Sequence, residues 1–127
     1  MEVTRLRIVR HTRRFKVMAH FYQDVLEMRC VHQWDRPESQ GALFSPGRAM
    51  GQTVIEVLDL KDHRPSRAKL SAVELGLEVR NVDVWYDRLR QRGVTIVKKL
   101  ADHPWGQRAF TIADPDGLPV TLYQEIG

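Results

Sequence analysis

Val17-Met18-Ala19-His20-Phe21-Tyr22-Gln23-Asp24-Val25-Leu26-Glu27-Met28 reads as an amphipathic helix that follows a strand. Val82-Asp83-Val84-Trp85-Tyr86-Asp87-Arg88-Leu89-Arg90-Gln91-Arg92-Gly93-Val94 repeats that reading roughly 65 residues later. Each helix is followed by short β-rich runs that end in an apolar strand, Thr53-Val54-Ile55-Glu56-Val57-Leu58 and Val120-Thr121-Leu122-Tyr123. An internal duplication of this kind restricts the fold more than any single residue does. Two small curved sheets side by side would leave a concavity, where a ligand is expected.

Working outward, the first strand is expected from Val3 to about Thr12, because apolar and charged residues alternate there. In the first helix Val17, Met18, Phe21, Val25 and Leu26 fall on one stripe at the spacing of a core-facing helix. Met28–Trp34 and Ala42–Phe44 are strands on either side of a polar, turn-rich loop, Asp35–Gly41, and Gly51–Leu58 closes the first half. Lys61–Lys69 has no periodic apolar face and is expected to link the halves. In the second half, Ala72–Val79 alternates as a strand, and Asn81 is placed to cap the helix through its side chain. Gly93 ends that helix, Val94–Lys98 and Arg108–Ala113 are strands, and Asp114-Pro115-Asp116-Gly117 has the residues of a type I turn. Trp85 falls with Val82 and Leu89 on the buried stripe of the helix. The fold class is therefore α+β: one domain over residues 1–127, made of two βαβββ modules forming a curved mixed sheet with a central cavity. Module one covers about 1–60, the linker about 61–69 and module two about 70–127.

Composition narrows the function classes. The 127 residues are 43% apolar and 28% charged, which is ordinary for a globular domain with a core of its own. No apolar run approaches the roughly 20 residues that a membrane span needs. The N-terminus lacks the apolar stretch of a signal peptide. Cys30 is the single cysteine, which rules out an internal disulfide and cysteine-rich metal sites and fits a reducing cytoplasm. The net charge is +4, and Arg5, Arg7, Arg10, Arg13, Arg14 and Lys16 crowd the start. Nucleic acid is not the expected partner, since neither a helix-turn-helix spacing nor an aromatic RNA-binding signature accompanies the cluster. A solvated strand end explains it without a partner.

Four stretches carry a resemblance. They are Phe21-Tyr22-Gln23-Asp24-Val25-Leu26, Leu77-Glu78-Val79-Arg80-Asn81-Val82-Asp83, Pro104-Trp105-Gly106-Gln107-Arg108-Ala109-Phe110 and Asp114-Pro115-Asp116-Gly117. In this order and spacing the chain resembles the vicinal-oxygen-chelate superfamily of glyoxalase I, bleomycin-resistance proteins and extradiol dioxygenases, over nearly its whole length. The resemblance is specific to a fold and much less so to a function, because the superfamily hosts isomerases, lyases, dioxygenases and metal-free binding proteins.

In metal-dependent members, four inward-facing strand positions carry His, Gln or Glu. Carried over by similarity, they land on Arg7, Glu56, Glu74 and Thr121. A guanidinium cannot ligate a cation, and two carboxylates without histidine fall short of the usual donor set. No metal and no other cofactor is therefore expected. His11, on the inward parity of the first strand, is the residue able to restore a divalent-metal site. Arg7 with Glu56 or Glu74 forms a buried ion pair on one reading. On the other, these carboxylates and Arg7 orient a polar ligand and leave one carboxylate for a cationic group. Tyr123 shares the cavity parity of Thr121, and Trp34 and Trp105 stand where aromatic walls would suit a flat ligand, although the expected role of Trp105 is to plug the end of its own half. No catalytic residue is nominated: Cys30, His20, His32, His63 and His103 lack partners at a useful spacing.

The expected ligand-binding set is thus Arg7, Glu56, Glu74, Thr121, Tyr123, Trp34 and Trp105. The expected function is a metal-free small-molecule binding protein that sequesters a polar or cationic aromatic ligand. The alternative is a metal-dependent lyase or isomerase, or a ring-cleaving dioxygenase, of the same superfamily. Superfamily members commonly pair, and open sheet edges favour pairing, so a homodimer is expected.

Overall fold

The computed structural model describes residues 1–63 and 72–127. The chain divides into two compact units, Met1–Arg67 and Ala68–Gly127. In the first, β1 (Arg7–His11) leads through α1 (Phe15–His20) to the strands β2 (Arg29–Asp35), β3 (Ser39–Ser45) and β4 (Val54–Leu60). The sheet order is β1-β4-β3-β2, with β1 and β4 parallel and the other pairs antiparallel. The second unit repeats the plan with β5 (Leu75–Glu78), α2 (Val82–Gln91), β6 (Lys98–His103), β7 (Gln107–Ala113) and β8 (Pro119–Glu125), in the order β5-β8-β7-β6. Each unit is the βαβββ arrangement that the duplication implies. The linker expected at Lys61–Lys69 lies outside the described residues from position 64 onward.

In each unit the helix covers one face of its sheet: α1 packs on β3 and β4, and α2 on β7 and β8. Strand alternation sends Ala42, Phe44, Ile55 and Val57 to the helix side of the first sheet, where all four are buried. Phe110, Ile112, Val120 and Leu122 do the same in the second. The opposite face of each sheet mixes polar and apolar residues, among them Arg7, Glu56, Leu43 and Leu58 in the first and Thr111, Thr121 and Tyr123 in the second.

The first helix departs from the expected stripe. After His20 it widens into a π-helical turn, Phe21–Val25, in which the Leu26 amide bonds the Phe21 carbonyl at 2.9 Å, five residues back. The extra residue in the turn brings Phe21 and Tyr22 onto the sheet together, with rings 5.0 Å apart edge to face. Tyr22 in turn stacks on Phe44 at 6.5 Å. Val17 is exposed, and Tyr22, four residues after Met18 but absent from the expected stripe, is fully buried.

Five further local expectations are corrected. The first strand begins at Arg7 rather than Val3, and Val94–Val97 is not a strand, since β6 starts only at Lys98. Ser39 and Gln40, expected in a loop, already pair with β4, because Arg36 N–H bonds the Ser39 carbonyl at 2.8 Å and closes a tight turn. Asn81 stands at the N-cap of α2 but its side chain caps nothing; Gln124 Oε1 from β8 accepts the Val82 amide instead, at 3.1 Å. Trp85 is half-buried rather than core, and the Arg88 guanidinium lies 4.8 Å over its ring.

The helix and turn endings behave as the residues dictate. Gly93 adopts φ +78° while Val94 N–H bonds the Leu89 carbonyl and Gly93 N–H the Arg90 carbonyl, a Schellman closure. In the Asp-Pro-Asp-Gly turn the Gly117 amide bonds the Asp114 carbonyl at 2.9 Å. The buried Asp114 carboxylate also accepts the amides of Asp116 and Leu118, both at 3.0 Å.

Candidate functional site

The face of each sheet turned away from its helix holds most of the residues singled out from sequence. In the first unit β1 runs parallel to β4, and Val9 lies opposite Glu56. Arg7, two residues earlier on the same face, reaches diagonally so that its Nη1 donates to Glu56 Oε1 at 3.0 Å. Glu56 is only 7% exposed, whereas the Arg7 side chain is 41% exposed. The pair thus joins a nearly dry carboxylate to a cation that still reaches solvent, so little of its Coulomb attraction is lost to screening at the Glu56 end.

The second unit repeats this offset with different chemistry. β5 runs parallel to β8, Gly76 lies opposite Thr121, and Glu74 is again two residues earlier. Thr121 Oγ1 donates to Glu74 Oε2 at 3.3 Å, and Thr111 Oγ1 lies 2.8 Å from Thr121 Oγ1. The result is a chain of two hydroxyls ending on an exposed carboxylate. Tyr123 shares this face, half-buried, with its ring beside Gly76. Within each unit, therefore, the two superfamily positions identified from sequence are hydrogen-bonded neighbours.

Those residues form a poor donor set for a divalent cation. Arg7 has no lone pair to offer, and it occupies an oxygen of Glu56. Glu74 is paired with a threonine hydroxyl, a weak ligand for any of the usual metals. His11 projects from β1 opposite Leu58, and no group of three or more His, Cys, Asp or Glu residues suited to a metal occurs among the described residues.

Trp34 contributes more than its position near a strand end indicated. It lies opposite Gly41 on the open face of the first sheet. Its indole covers that glycine so closely that a Cβ there would fall 2.2 Å from Cζ2. Nε1 donates to Ser39 Oγ at 3.1 Å, and the His32 ring sits 5.6 Å away. The indole is thus pinned flat on the sheet as a half-buried platform. Sequence reading missed Gly41 and Ser39; the available signal was the parity of the β2–β3 hairpin, which sets both on the face of Trp34.

Trp105 does not plug its half. It is 68% exposed, stacks on His103 at 4.6 Å, and donates from Nε1 to Gln107 Oε1 at 3.2 Å. Gln107 in turn donates to Glu125 at 3.1 Å. The neighbouring Arg108, also unassigned from sequence, points to the helix side. There it holds Asp83 through two nitrogens and Asp102 through a third, at 2.9–3.1 Å. Its hydrogen bonds hold the Asp83 carboxyl below the usual carboxylate range.

Comparisons with known proteins agree with this architecture. An antibiotic-binding protein, TnmS3, from Streptomyces sp. CB03234 superposes with a TM-score of 0.76 at 21% identity, covering 98% of each chain. A Bacillus subtilis YycE protein of unknown function, described as a putative glyoxalase/fosfomycin resistance protein, gives 0.73 at 20% identity over 93% of this chain and 87% of its own. The trypanothione-dependent glyoxalase I of Leishmania major gives 0.76 at 20% identity over 98% and 88%. At such identities the likeness shows the fold. Curated proteins provide no sequence match. The family model does: it matches residues 6–122, and the chain belongs to the Glyoxalase/Bleomycin resistance protein/Dioxygenase superfamily.

Proposed function

We propose that this chain is a metal-free small-molecule binding protein that sequesters a polar aromatic ligand, and that it acts as a cytoplasmic homodimer. The observation that carries the reading is the 3.0 Å contact between Arg7 and Glu56, which sets a permanent cation beside a carboxylate at two of the superfamily's metal positions. Sequestration needs binding alone, so a site without a metal or an activated nucleophile suffices for it. The flat indole of Trp34 supports an aromatic ligand, and small-molecule binding is in keeping with an antibiotic-binding protein of the same fold. Dimerisation is supported by the unpaired edges of β2 and β6 within their sheets. The cytoplasmic assignment rests on Cys30 being the single cysteine, and no helix among the described residues is long and apolar enough to cross a membrane.

The test is a thermal-shift titration of metal-stripped protein with Mn, Fe(II), Co, Ni, Zn and Mg ions, followed by a library of cationic, neutral and acidic aromatic compounds. A site filled a hundredfold above its dissociation constant adds about 2.7 kcal/mol, which moves the midpoint of a domain this size by several degrees. The expected result is a flat response to metals and a rise with a subset of the library. A selective rise with one metal would instead favour the lyase, isomerase or dioxygenase alternative, and silence across the library would overturn the binding reading.

A further inference from the structure

The open face of the first sheet has a charge pattern that narrows the ligand. β1, β4 and β2 run in the same direction, and Arg7 and Arg29 stand at the starts of β1 and β2, at one end of that face. Glu56 is the carboxylate of the strand residues there, and Arg7 already neutralises it, so Arg29 leaves the face with an excess of positive charge. The guanidinium of Arg7 has five N–H donors; the one on Nη1 that meets Glu56 anchors the group, and its exposed side turns the remainder toward solvent. The other end of the face is the Trp34 platform over Gly41, with Leu43 and Leu58 beside it.

The spacing between these two features fits one molecule. Glu56 lies opposite Leu43, and Leu58 opposite Gly41, so Glu56 and Gly41 are diagonal neighbours on adjacent antiparallel strands. Such diagonals span roughly 7–8 Å. The strand positions beneath the paired carboxylate and the indole are therefore about as far apart as the two ends of a bicyclic aromatic acid.

We infer that the open face of the first sheet binds an aromatic acid, with its ring on Trp34 and its acid group on Arg7. This rests on the small-molecule-binding reading and specifies its ligand. Glu56 is then a positioning residue: it touches no ligand but fixes the direction of the Arg7 donors. A planar guanidinium so oriented offers two parallel N–H groups to a carboxylate, a stronger and more directional contact than a neutral amide can make.

The experiment uses the full chain and three probes that share one ring system, 2-naphthoate, 2-naphthamide and 2-naphthamidine, titrated by calorimetry. The acid is expected to bind about tenfold or more tightly than the amide, with the cationic probe weakest. The double variant Arg7→Gln, Glu56→Gln leaves no carboxylate unpaired and should abolish the preference for the acid, bringing its affinity down to that of the amide. Trp34→Leu should weaken the acid and the amide alike. Equal or tighter binding of the amide or the amidine, or a preference for the acid that survives the double variant, overturns the inference and leaves the small-molecule reading standing. Absence of binding by all three also overturns it, and the small-molecule reading falls with it only if the wider library is silent too.

Discussion

Gly41→Ala is the substitution most directly constrained by the structure. A Cβ at position 41 would lie 2.2, 2.6 and 2.7 Å from Cζ2, Cη2 and Cε2 of Trp34. Carbon atoms pack at about 3.5–4.0 Å, so the indole must lift by more than 1 Å, roughly, along its whole edge. The lift breaks the 3.1 Å bond from Nε1 to Ser39 Oγ, a loss of about 1 kcal/mol. It also opens a gap beneath the ring that forfeits a quarter to a half of its dispersion contacts, which we take as about another 1 kcal/mol. Alanine in a strand regains about 0.5–1 kcal/mol relative to glycine. The net expectation is a destabilisation of about 1–1.5 kcal/mol, read by urea denaturation followed by circular dichroism. In a Trp34→Ala background the clash disappears and only the strand preference remains, so the same Gly41→Ala change should stabilise by about 0.5–1 kcal/mol. That reversal of sign, a coupling of about 2 kcal/mol, is the content of the prediction. Equal costs of Gly41→Ala in both backgrounds would refute the claim that Trp34 lies on the glycine.

Arg7→Leu strands the Glu56 carboxylate in a nearly dry position and should cost about 1–2 kcal/mol, the value being held down by the solvent that already reaches Arg7. Adding Glu56→Leu should recover most of that loss in the same denaturation assay; a double variant no more stable than the single would contradict the pairing. Arg108 lowers the Asp83 carboxyl relative to the unfolded chain, so its contribution is present at neutral pH and disappears as pH falls through the folded-state value. The difference in midpoint between the wild type and Asp83→Asn should accordingly be largest near neutrality and close below about pH 4, and a pH-independent difference would exclude an ionic origin. Gly93→Ala forces a side chain into φ +78° and should cost about 1–2 kcal/mol, whereas Gly47→Ala, where a Cβ meets nothing within 4 Å, serves as the mild comparison.

The duplication was legible because strand and helix periodicities do not depend on how the pieces finally meet. Leu75 and Leu77 against Glu74, Gly76 and Glu78 separate to two faces in the structure as alternation requires. What escaped lies where one element answers to another. A π-helical turn cannot be seen in a 3.6-residue stripe, and Tyr22, left off the expected stripe, is fully buried on the sheet. Asn81 has the right residue type for a cap, but Gln124 reaches the amide from a strand 42 residues away in sequence, a contact no local rule can anticipate. Trp85 obeyed the helical stripe and yet stops half-buried, since Tyr86 takes the ring contact with Phe110 at 5.1 Å. For the candidate site, the positions carried over by resemblance were Arg7, Glu56, Glu74 and Thr121, with Arg7 read against Glu56 or Glu74; the structure pairs it with Glu56, and the contact between Thr121 and Glu74 was not anticipated. The Gly41 platform escaped because Asp35–Gly41 was expected as a loop, and the parity that sets Trp34 over the glycine exists only once Ser39–Gly41 belongs to β3.

The four stretches that carry the family resemblance turn out to hold the fold together, which explains why they point to a fold and leave the chemistry open. Arg108, from one of them, clamps Asp83, from another, and reaches Asp102 on β6. Asp114 closes the last turn through its own carboxylate, and Phe21 and Tyr22 fill the space beneath the first sheet. All of these contacts face the helices or the turns. The positions carried over from the superfamily's metal site lie on the opposite faces, where the first and last strands of each unit run parallel and a residue two places upstream meets its partner diagonally. That geometry is set by backbone pairing alone, so it survives any choice of side chains. An arginine with a glutamate there makes an ion pair, and a glutamate with a threonine makes a hydroxyl chain. Exchanging the occupants of those diagonals should therefore change what the protein binds without changing how it folds. Under the proposed binding function, the ligand preference at Arg7 and Glu56, rather than any property of the scaffold stretches, is the quantity from which the function should be read.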